Sequence, residues 1–397
     1  MKIIIKKFGP IENANIEVKD FNIFIGKSAT GKSLIAKLVY LFLGFYRDKY
    51  KIRGANDMAH RLLVNYISIF GKNYFDFEII FYYTEDKYIN IKSDKIDSWN
   101  AKISEKLSID IETFYEKNKK LSENYENTLD FEILENINEK LSNNVFENKL
   151  NPIYFPTERS FFTILNETIY SVISGDSNIS ILMKEFGKMY KKYSNSYSDN
   201  FDEIKARVKK YINQVIKGRY EIINNEERFY INDHYITLKQ LSSGQQQLLP
   251  AIIVLSQLLK AIGNKTNRLI IFEEPEISLF PEDQKALLEL LILVTKESNS
   301  SLLITTHSPY ILTSLNNLIQ ADNTYKLKKD KKELITKIIP KYLWLNIDDI
   351  TAYEVKKGSN VNSIVDDDIK LINAEYIDTT SEVLDSDFDL LLDIKYE

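Results

Sequence analysis

The chain has 397 residues, enough to bury a full hydrophobic core in one to three domains. Hydrophobic residues make up 44% and charged residues 27%, which is ordinary for a soluble globular protein. Cysteine is absent and no apolar run is long enough to span a bilayer, so disulfides, thiolate metal sites and a membrane span are excluded. The N-terminus has no signal-peptide pattern, and we expect a cytoplasmic location with no membrane partner.

The net charge of −5 argues against a generally basic surface, but the charges are unevenly distributed. Ten basic residues and four acids lie within Lys184–Arg219, and seven lysines lie within Lys326–Lys341. Asp366–Glu397 contains eleven acids and two lysines. The simpler interpretation is solvated faces. The alternative is a DNA or partner surface on the basic stretches, with the acidic tail docking elsewhere.

The first predicted elements are strands at Met1–Lys6, Asn13–Val18 and Phe21–Ile25, followed by a helix that runs to about Tyr46. The run between the last strand and the helix is Gly26-Lys27-Ser28-Ala29-Thr30-Gly31-Lys32-Ser33, which matches the pattern G-x-x-x-x-G-K-[ST]. A preceding strand and a following helix are the context that a phosphate-binding loop requires. We therefore expect all eight residues of this run to bind a nucleotide.

Each residue type that the pattern specifies has a physical role. Glycine at positions 26 and 31 lets the backbone approach a phosphate, and the helix N-terminus supplies positive potential. Lys32 is expected to reach the β- and γ-phosphates, and Ser33 to ligate Mg²⁺.

The middle of the chain is less informative. Residues 77–94 predict a hairpin, whereas 98–150 is polar and weakly helical without a sustained heptad. Pro152–Pro156 predicts a strand, and Thr157–Ser160 a turn. Helical patterns then fill roughly 161–217.

The last third of the chain alternates strands and helices. A hairpin at Tyr220–Ile223 and Arg228–Ile231 precedes an apolar helix over Leu248–Ile262. Short apolar strands at Arg268–Phe272 and Ser301–Thr305 flank a helix, Pro281–Lys296, and this order predicts a parallel sheet.

A second motif is Leu241-Ser242-Ser243-Gly244-Gln245, which resembles the signature sequence of the ABC-type ATPases and is called the signature below. The phosphate loop and the signature together carry the resemblance to that superfamily. In that superfamily, one subunit's phosphate loop and another's signature close on the same nucleotide. The resemblance implies that Ser242, Ser243, Gly244 and Gln245 contact ATP held by a second copy of the chain.

Two carboxylates and a histidine complete the resemblance. Glu273 and Glu274 follow an apolar strand and look like the second nucleotide motif, with Glu273 holding Mg²⁺ and Glu274 acting as general base. The superfamily usually has Asp at the first position. His307 matches the histidine that contacts the γ-phosphate, so Glu274 and His307 are the expected catalytic residues.

Within the superfamily, the chain is most similar to the group of SMC, RecF and OLD (overcoming lysogenisation defect) proteins. Phe8–Ile11, Glu273–Glu276, Leu279–Pro281 and Thr306–Pro309 carry this similarity, which covers about 1–45 and 150–320. Too few residues follow for the TOPRIM nuclease of OLD proteins, and Asp366–Asp368 is interpreted as a turn.

The glutamine that couples the lobes in this superfamily has no clear counterpart. Pro156–Ser160 stands at a plausible position, and Glu158 or Arg159 is the hypothesis for that role.

The fold class implied is α/β: an ABC-type P-loop NTPase head, with a mixed sheet, an antiparallel N-terminal lobe and an inserted helical segment. The head is expected at 1–45 plus 150–345, with a helical subdomain at 161–217. Residues 46–150 would be an insertion, and 346–397 an acidic C-terminal segment.

The function implied is an ATPase that uses ATP and Mg²⁺, dimerises around ATP and regulates a separate effector, such as a nuclease or toxin, in bacterial antiphage defence. One alternative is a RecF-like repair ATPase that binds DNA through Lys184–Arg219. Another is a scaffold that uses ATP for assembly with little hydrolysis, because Glu replaces Asp at position 273. A transporter ATPase is least favoured.

Overall fold

The structure is a computed structural model that carries all side chains. It describes residues 1–47, 54–96, 98–123, 140–141, 143–147, 150–164, 179–194, 203–223, 226–232, 234–260 and 267–373.

Strands and helices alternate along most of the described chain. The strands are β1 (Lys2–Phe8), β2 (Ile11–Glu17), β3 (Phe21–Ile25), β4 (Phe77–Tyr82), β5 (Tyr88–Lys95), β6 (Ser98–Ile103), β7 (Asn151–Phe155), β8 (Arg219–Ile223), β9 (Glu226–Ile231), β10 (His234–Ile236), β11 (Arg268–Glu273), β12 (Ser301–Thr306), β13 (Ile350–Glu354), β14 (Ser359–Ser363), β15 (Val365–Asp366) and β16 (Leu371–Ile372). The α-helices are α1 (Lys32–Gly44), α2 (Ala55–Phe70), α3 (Glu105–Glu123), α4 (Phe161–Ile164), α5 (Ile181–Ser194), α6 (Glu203–Ile216), α7 (Ser243–Lys260), α8 (Pro281–Glu297), α9 (Pro309–Leu327) and α10 (Lys332–Ile338).

One large sheet organises the molecule, with the strand order β6-β5-β4-β1-β2-β14-β13-β3-β12-β11-β7. The five strands from β13 to β7 are parallel, and the strands at the other end are mostly antiparallel. β3 lies between β12 and β13, so the strand that leads into the phosphate loop is flanked on both sides. The fold is α/β with a mixed sheet and an antiparallel N-terminal lobe, which confirms the predicted class.

The sheet separates two hydrophobic cores, and alternate residues of a strand enter opposite cores. In β11, Ile270 and Phe272 pack with α7, α8 and α9, whereas Leu269 and Ile271 pack with α1 and the N-terminal lobe. A strand that is covered on both faces must be apolar throughout, which explains the continuous apolar runs of β11 and β12.

Local sequence explains where the main helices begin. α8 starts at Pro281, whose fixed φ suits the first helical position, and Glu282 and Asp283 complement the positive helix N-terminus. The Ser308 hydroxyl caps α9 by accepting hydrogen bonds from the amides of Tyr310 and Ile311.

Most elements predicted from the pattern are confirmed. The predicted hairpin over 77–94 is the β4–β5 pair, and the hairpin before the signature is β8–β9, extended by β10. The strand at 151–155, the turn after it and the strand–helix–strand unit β11–α8–β12 also form as predicted. The acidic triplet Asp366–Asp368 ends a short strand and enters a turn.

One prediction at the level of elements is wrong, and one strand was not predicted. Residues 98–103, expected to be weakly helical, form the edge strand β6, because their apolar positions alternate and pair with β5. No strands were predicted within 346–397, yet β13 is fully buried beside β3. Its five residues are too short a run to stand out beside the acidic sequence that follows.

The predicted division into domains stays a prediction. The helical part of the 46–150 insertion, the 161–217 subdomain, the end of the helix over 248–262 and the acidic C-terminal segment each extend outside the described residues. Within the described ranges, every helix is too short or too polar to traverse a lipid bilayer.

Candidate nucleotide site

The phosphate loop connects the end of β3 to the start of α1, and two of its positions admit only glycine. A Cβ at Gly26 would lie 2.2 Å from the carbonyl oxygen of Val355, which follows β13. Gly31 has φ 111°, and a Cβ there would lie 2.8 Å from Ile11 Cγ1. The loop is therefore enclosed by the N-terminal lobe on one side and by the β13 end on the other.

The loop curls around the amine of Lys32, which is buried. Lys32 Nζ donates hydrogen bonds to the carbonyl oxygens of Gly26 at 2.7 Å and Lys27 at 2.8 Å. The Thr30 hydroxyl donates to the same Lys27 carbonyl at 2.9 Å. Burial lowers the pKa of Lys32, and the charges of nearby glutamates act in the opposite direction. The loop thus holds its lysine in a fixed position before any ligand binds.

The remaining loop residues face outward. Lys27, Ser28 and Ala29 are exposed, and Ser33 is partly exposed at the start of α1. Ala29 has φ 59°, which an alanine adopts only under local constraint. The exposed stretch presents its backbone to solvent at the helix N-terminus, where an anion is stabilised.

Glu273 is the last residue of β11, and its carboxylate is buried beside Ser33 and Tyr154. Burial raises its pKa, against the opposing effects of the Lys37 charge and of the Ser33 and Tyr154 hydroxyls. Its Oε1 atom has no hydrogen-bond partner among the described residues. A buried carboxylate oxygen without a partner, next to the Ser33 hydroxyl, fits a site for a hard cation.

Glu274 lies one residue further on, in a strained backbone conformation. Its φ is 42°, which is rare for a residue with a side chain, and its amide donates to the Thr305 carbonyl at 2.9 Å. This turn separates the two carboxylates: Glu273 stays in the interior, and Glu274 reaches a partly exposed position 3.9 Å from His307 Nδ1. A strained acid at a strand end is a feature typical of functional sites.

Glu276 is a third buried carboxylate, and the sequence analysis assigned it no role of its own. Its Oε1 accepts hydrogen bonds from the Thr306 hydroxyl at 2.7 Å and from the His307 amide at 2.6 Å. His307 Nδ1 lies 3.3 Å from the same oxygen. Glu276 therefore fixes the backbone and the ring of His307 at the end of β12. In the sequence, its position directly after Glu273-Glu274-Pro275 was the one indication that Glu276 belongs to the site.

Arg159 links the turn after β7 to the acidic pair. It is fully buried, and its guanidinium donates to the carbonyl oxygens of Pro156 and Glu273 at 2.9 Å and of Glu274 at 3.1 Å. The guanidinium also lies 4.6 Å from the ring centre of Phe272. Burial lowers the pKa of Arg159 to about 10. Glu158, by contrast, is exposed.

The signature forms the N-terminus of α7, and its polar groups hold one another. The Ser242 hydroxyl donates to Gln245 Oε1 at 3.1 Å and accepts from the Gln245 amide at 3.3 Å. Gln245 Nε2 donates to the Ile216 carbonyl at 2.9 Å, which ties the signature to the end of α6. Ser242 and Ser243 are exposed.

Two contacts join the signature helix to the acidic region. A Cβ at Gly244 would lie 2.9 Å from the Ser278 carbonyl oxygen, so the glycine allows close approach. Gln247 Nε2 donates to the Ser160 hydroxyl at 3.3 Å, one residue after Arg159. The turn after β7 therefore touches both the acidic pair and α7.

The structure brings together the phosphate loop and the acids and histidine at the carboxyl ends of β3, β11 and β12. In the described part of the chain, no hydrogen bond or ion pair joins this group to Ser242–Gln245. Within the described part of the chain, the phosphate-loop group and Ser242–Gln245 are therefore two separate clusters of polar residues.

Comparison with known proteins assigns the family. Residues 1–312 match the family model AAA_15, described as an AAA ATPase domain. The chain belongs to this family. As a member of the AAA ATPase domain family it is an AAA-type ATPase, and the membership implies nucleotide binding. No curated protein matches the chain in sequence.

Solved structures similar to the chain include SMC heads and an ATP-binding cassette. The SMC head bound to the C-winged helix domain of ScpA has 12% identity and a TM-score of 0.44, with 91% of this chain and 96% of that chain covered. The SMC head domain from Thermotoga maritima has 10% identity and a TM-score of 0.36, with 91% of this chain and 98% of that chain covered. The ATP-binding cassette MJ0796, in a dimeric post-hydrolysis structure bound to ADP and Pi, has 12% identity and a TM-score of 0.32, with 91% of this chain and 98% of that chain covered.

Proposed function

We propose that this member of the AAA ATPase domain family hydrolyses ATP at a site completed by a second copy of the chain. The observation that carries the proposal is the division of the site. The phosphate loop and its acids are assembled within one chain, whereas Ser242 and Ser243 are exposed at a helix N-terminus, and among the described residues no hydrogen bond or ion pair joins them to that assembly. ATP would therefore be both the substrate and the link between two copies.

Phosphate binding falls to the loop itself. Lys27–Ala29 form the exposed part of the loop before α1, and Lys32 carries its charge into the loop. Lys32 is the residue proposed to contact the β- and γ-phosphates, and the amides of Lys27 to Gly31 to surround them.

Ser33 and Glu273 are the residues proposed to hold Mg²⁺. The unpartnered Oε1 of Glu273 and the adjacent hydroxyl of Ser33 are oxygen ligands of the type that this ion prefers. When bound, the ion would neutralise charge on the phosphate oxygens. The extra methylene of glutamate, compared with aspartate, does not separate this carboxylate from Ser33, which weakens the case for a scaffold that does not hydrolyse ATP.

Glu274 is proposed as the general base. Two hydrogen bonds hold its backbone. The Glu274 amide donates to the Thr305 carbonyl, and the Arg159 guanidinium donates to the Glu274 carbonyl. Its carboxylate is partly open and lies near His307, so it is able to accept a proton from a water molecule beside the γ-phosphate. His307, fixed by Glu276, is proposed to contact the γ-phosphate.

The signature is proposed to bind the γ-phosphate of the opposite copy. α7 is long enough to present the positive end of a helix dipole, and the Ser242 hydroxyl and Gly244 amide lie at that end. The capping contacts with Gln245 keep the hydroxyl in place.

We further propose membership of the OLD-like or RecF-like group and a role as sensor or regulator of a separate effector in antiphage defence, in the cytoplasm. The support is the sequence run from Glu273 to Pro281 and the run from Thr306 to Pro309. Of the two residues considered for coupling the lobes, we propose Arg159, which would connect the acidic pair to α7. Glu158 is exposed and is not proposed for this role.

DNA binding through Lys184–Arg219 is the weaker candidate. Within this stretch, Lys188 pairs with Glu185 at 2.7 Å, and Lys217 with Asp283 at 2.8 Å. Arg219 pairs with Glu221 at 3.1 Å. These cations are partly neutralised by the chain's own acids, so fewer charges face outward than the sequence suggests.

The test is the mass in solution of the Glu274→Gln variant, measured with and without ATP and Mg²⁺. We expect a nucleotide-dependent dimer, because the substrate is bound but not consumed. The matched control is Lys32→Ala combined with Glu274→Gln, which should stay monomeric at the same ATP concentration. A Glu274→Gln protein that binds ATP yet stays monomeric would contradict the shared site.

A further inference from the structure

The corner between α9 and α10 exposes three large apolar side chains. Leu327 ends α9 with 82% of its surface exposed, and Leu334 and Ile338 on α10 are 56% and 81% exposed. We refer to these three residues as the α9–α10 corner. Leu334 and Ile338 are four residues apart, so they share one face of the helix.

This exposure is not a consequence of poor packing of α10. The helix buries Ile335 against Ala321 and Trp344, and this small core holds α10 on α9. The Trp344 indole donates to the Ile339 carbonyl at 2.8 Å, which fixes the chain after the helix. α10 is therefore already packed through Ile335, and the exposed side chains of the α9–α10 corner form a separate apolar face.

Lysines surround the corner. Residues 326–341 contain seven lysines and two acids. Lys326 pairs with Asp322 at 2.9 Å, and Lys331 with Asp330 at 3.8 Å. In the ranges that the structure describes, Lys328, Lys332 and Lys337 have no carboxylate within 4 Å and are exposed. An apolar centre with a cationic rim suits a segment that is both apolar and acidic.

The chain contains such a segment. Residues 374–397, which lie outside the described part, contain eight acids and one lysine. Within it, Phe388 stands between Asp387 and Asp389, and three leucines and Asp393 follow. Large apolar residues and acids alternate there at short intervals, which complements the corner in both respects.

The end of the described chain lies close enough for the same molecule to supply this segment. Asn316 exchanges two hydrogen bonds with the backbone of Ile372, and Asn323 donates to the Lys370 carbonyl, so the chain is held along α9. Asn316 and Leu327 are about 17 Å apart at 1.5 Å per helical residue. The residues from Asn373 to Phe388 span up to about 50 Å when extended. The segment reaches the corner with length to spare.

We propose that residues 387–393 cover the α9–α10 corner of the same molecule, with Phe388 and the leucines on Leu327, Leu334 and Ile338 and the aspartates beside the lysines. The inference is independent of the proposed ATPase cycle, since none of these residues belongs to the nucleotide site.

The chain has no cysteine, so an engineered pair reports proximity without background. The test variant is Ile338→Cys with Leu391→Cys in the full chain, oxidised at low protein concentration and analysed by non-reducing electrophoresis. The matched control pairs Leu391→Cys with Ile96→Cys, an exposed position after β5. We expect an intramolecular disulfide that forms at least about tenfold faster in the test variant, because thiols bridge only when their Cα atoms approach within about 7 Å.

Equal rates in the two variants would overturn the proposal, and so would disulfide-linked dimers, which would assign the corner to another copy. The charges are tested by adding Lys332→Glu and Lys337→Glu to the test variant. We expect the rate to fall at least about fivefold and to respond to salt, because the lysines and aspartates are exposed. A rate that is unchanged by charge reversal would contradict the assigned chemistry.

Discussion

In the phosphate-loop region the chain's own atoms hold the Lys32 amine and the Glu274 backbone, whereas the polar groups of the signature are held by one another and by the end of α6. Lys32 is enclosed by carbonyls, and the Glu274 backbone is fixed by Thr305 and Arg159. The Ser242 hydroxyl is hydrogen-bonded to Gln245 at an exposed helix end. A buried set of polar groups is costly to assemble and is kept for chemistry, while an exposed, pre-ordered helix end is suited to meeting a second molecule.

The largest effect is expected from Lys32→Ala. Removing the amine from the loop should weaken ATP binding by about 100-fold or more, in the isolated chain as well as in any assembly. Titration with a fluorescent ATP analogue measures it. Lys27→Ala, at an exposed loop position, is the control and should bind within about threefold of the original. Similar losses in both variants would mean that the enclosed lysine has no special role.

Ser242→Arg should separate the two regions. The larger side chain blocks the exposed helix end, so ATP turnover should fall by about 100-fold while ATP binding to the monomer is unchanged. Steady-state phosphate release and nucleotide titration, measured on the same sample, give the two values. An equal loss of binding in the monomer would show that the signature supports the phosphate loop directly, and the contrast between the regions would fail.

Arg159→Lys is expected to have an intermediate effect. Lysine keeps the charge but cannot reach three carbonyls as the planar guanidinium does, so the free energy of unfolding should fall by roughly 2–4 kcal/mol. Turnover should fall about tenfold through the loosened Glu274 backbone, with a smaller change in ATP affinity. Denaturant unfolding and kinetics check both. Glu158→Ala, next to it and exposed, should change neither value appreciably.

The smallest effect on stability, and one of opposite sign, is expected from Glu273→Gln. Burial raises the pKa of this carboxylate, which means that the fold disfavours its charge. Without Mg²⁺ or nucleotide, the neutral variant should therefore be more stable to thermal unfolding by about 1 kcal/mol, while its Mg²⁺-dependent turnover is lost. A loss of stability in the variant would show that the carboxylate has a structural role instead.

The elements that carry this contrast were predictable because their signals are local. The phosphate loop, the acids after β11 and the cap at Ser242 each fall within a run of about eight residues that contains its own strand or helix signal. Arg159 and Glu276 were not predictable in their roles, since both act through carbonyls, amides or rings that lie far away in the sequence. β13 was missed for the same reason, because its five residues are identified as a strand only by their pairing with β3, which is far away in the sequence.

The position of β13 also determines when the protein becomes competent during its synthesis. The phosphate loop is among the first parts to leave the ribosome, but the Val355 carbonyl that closes over Gly26 comes more than 300 residues later. At about 5–20 residues per second, the edge of β3 that pairs with β13 stays unpaired for at least about 15 seconds. A nascent or prematurely terminated chain that lacks β13 therefore carries the phosphate loop without the strand that encloses Gly26.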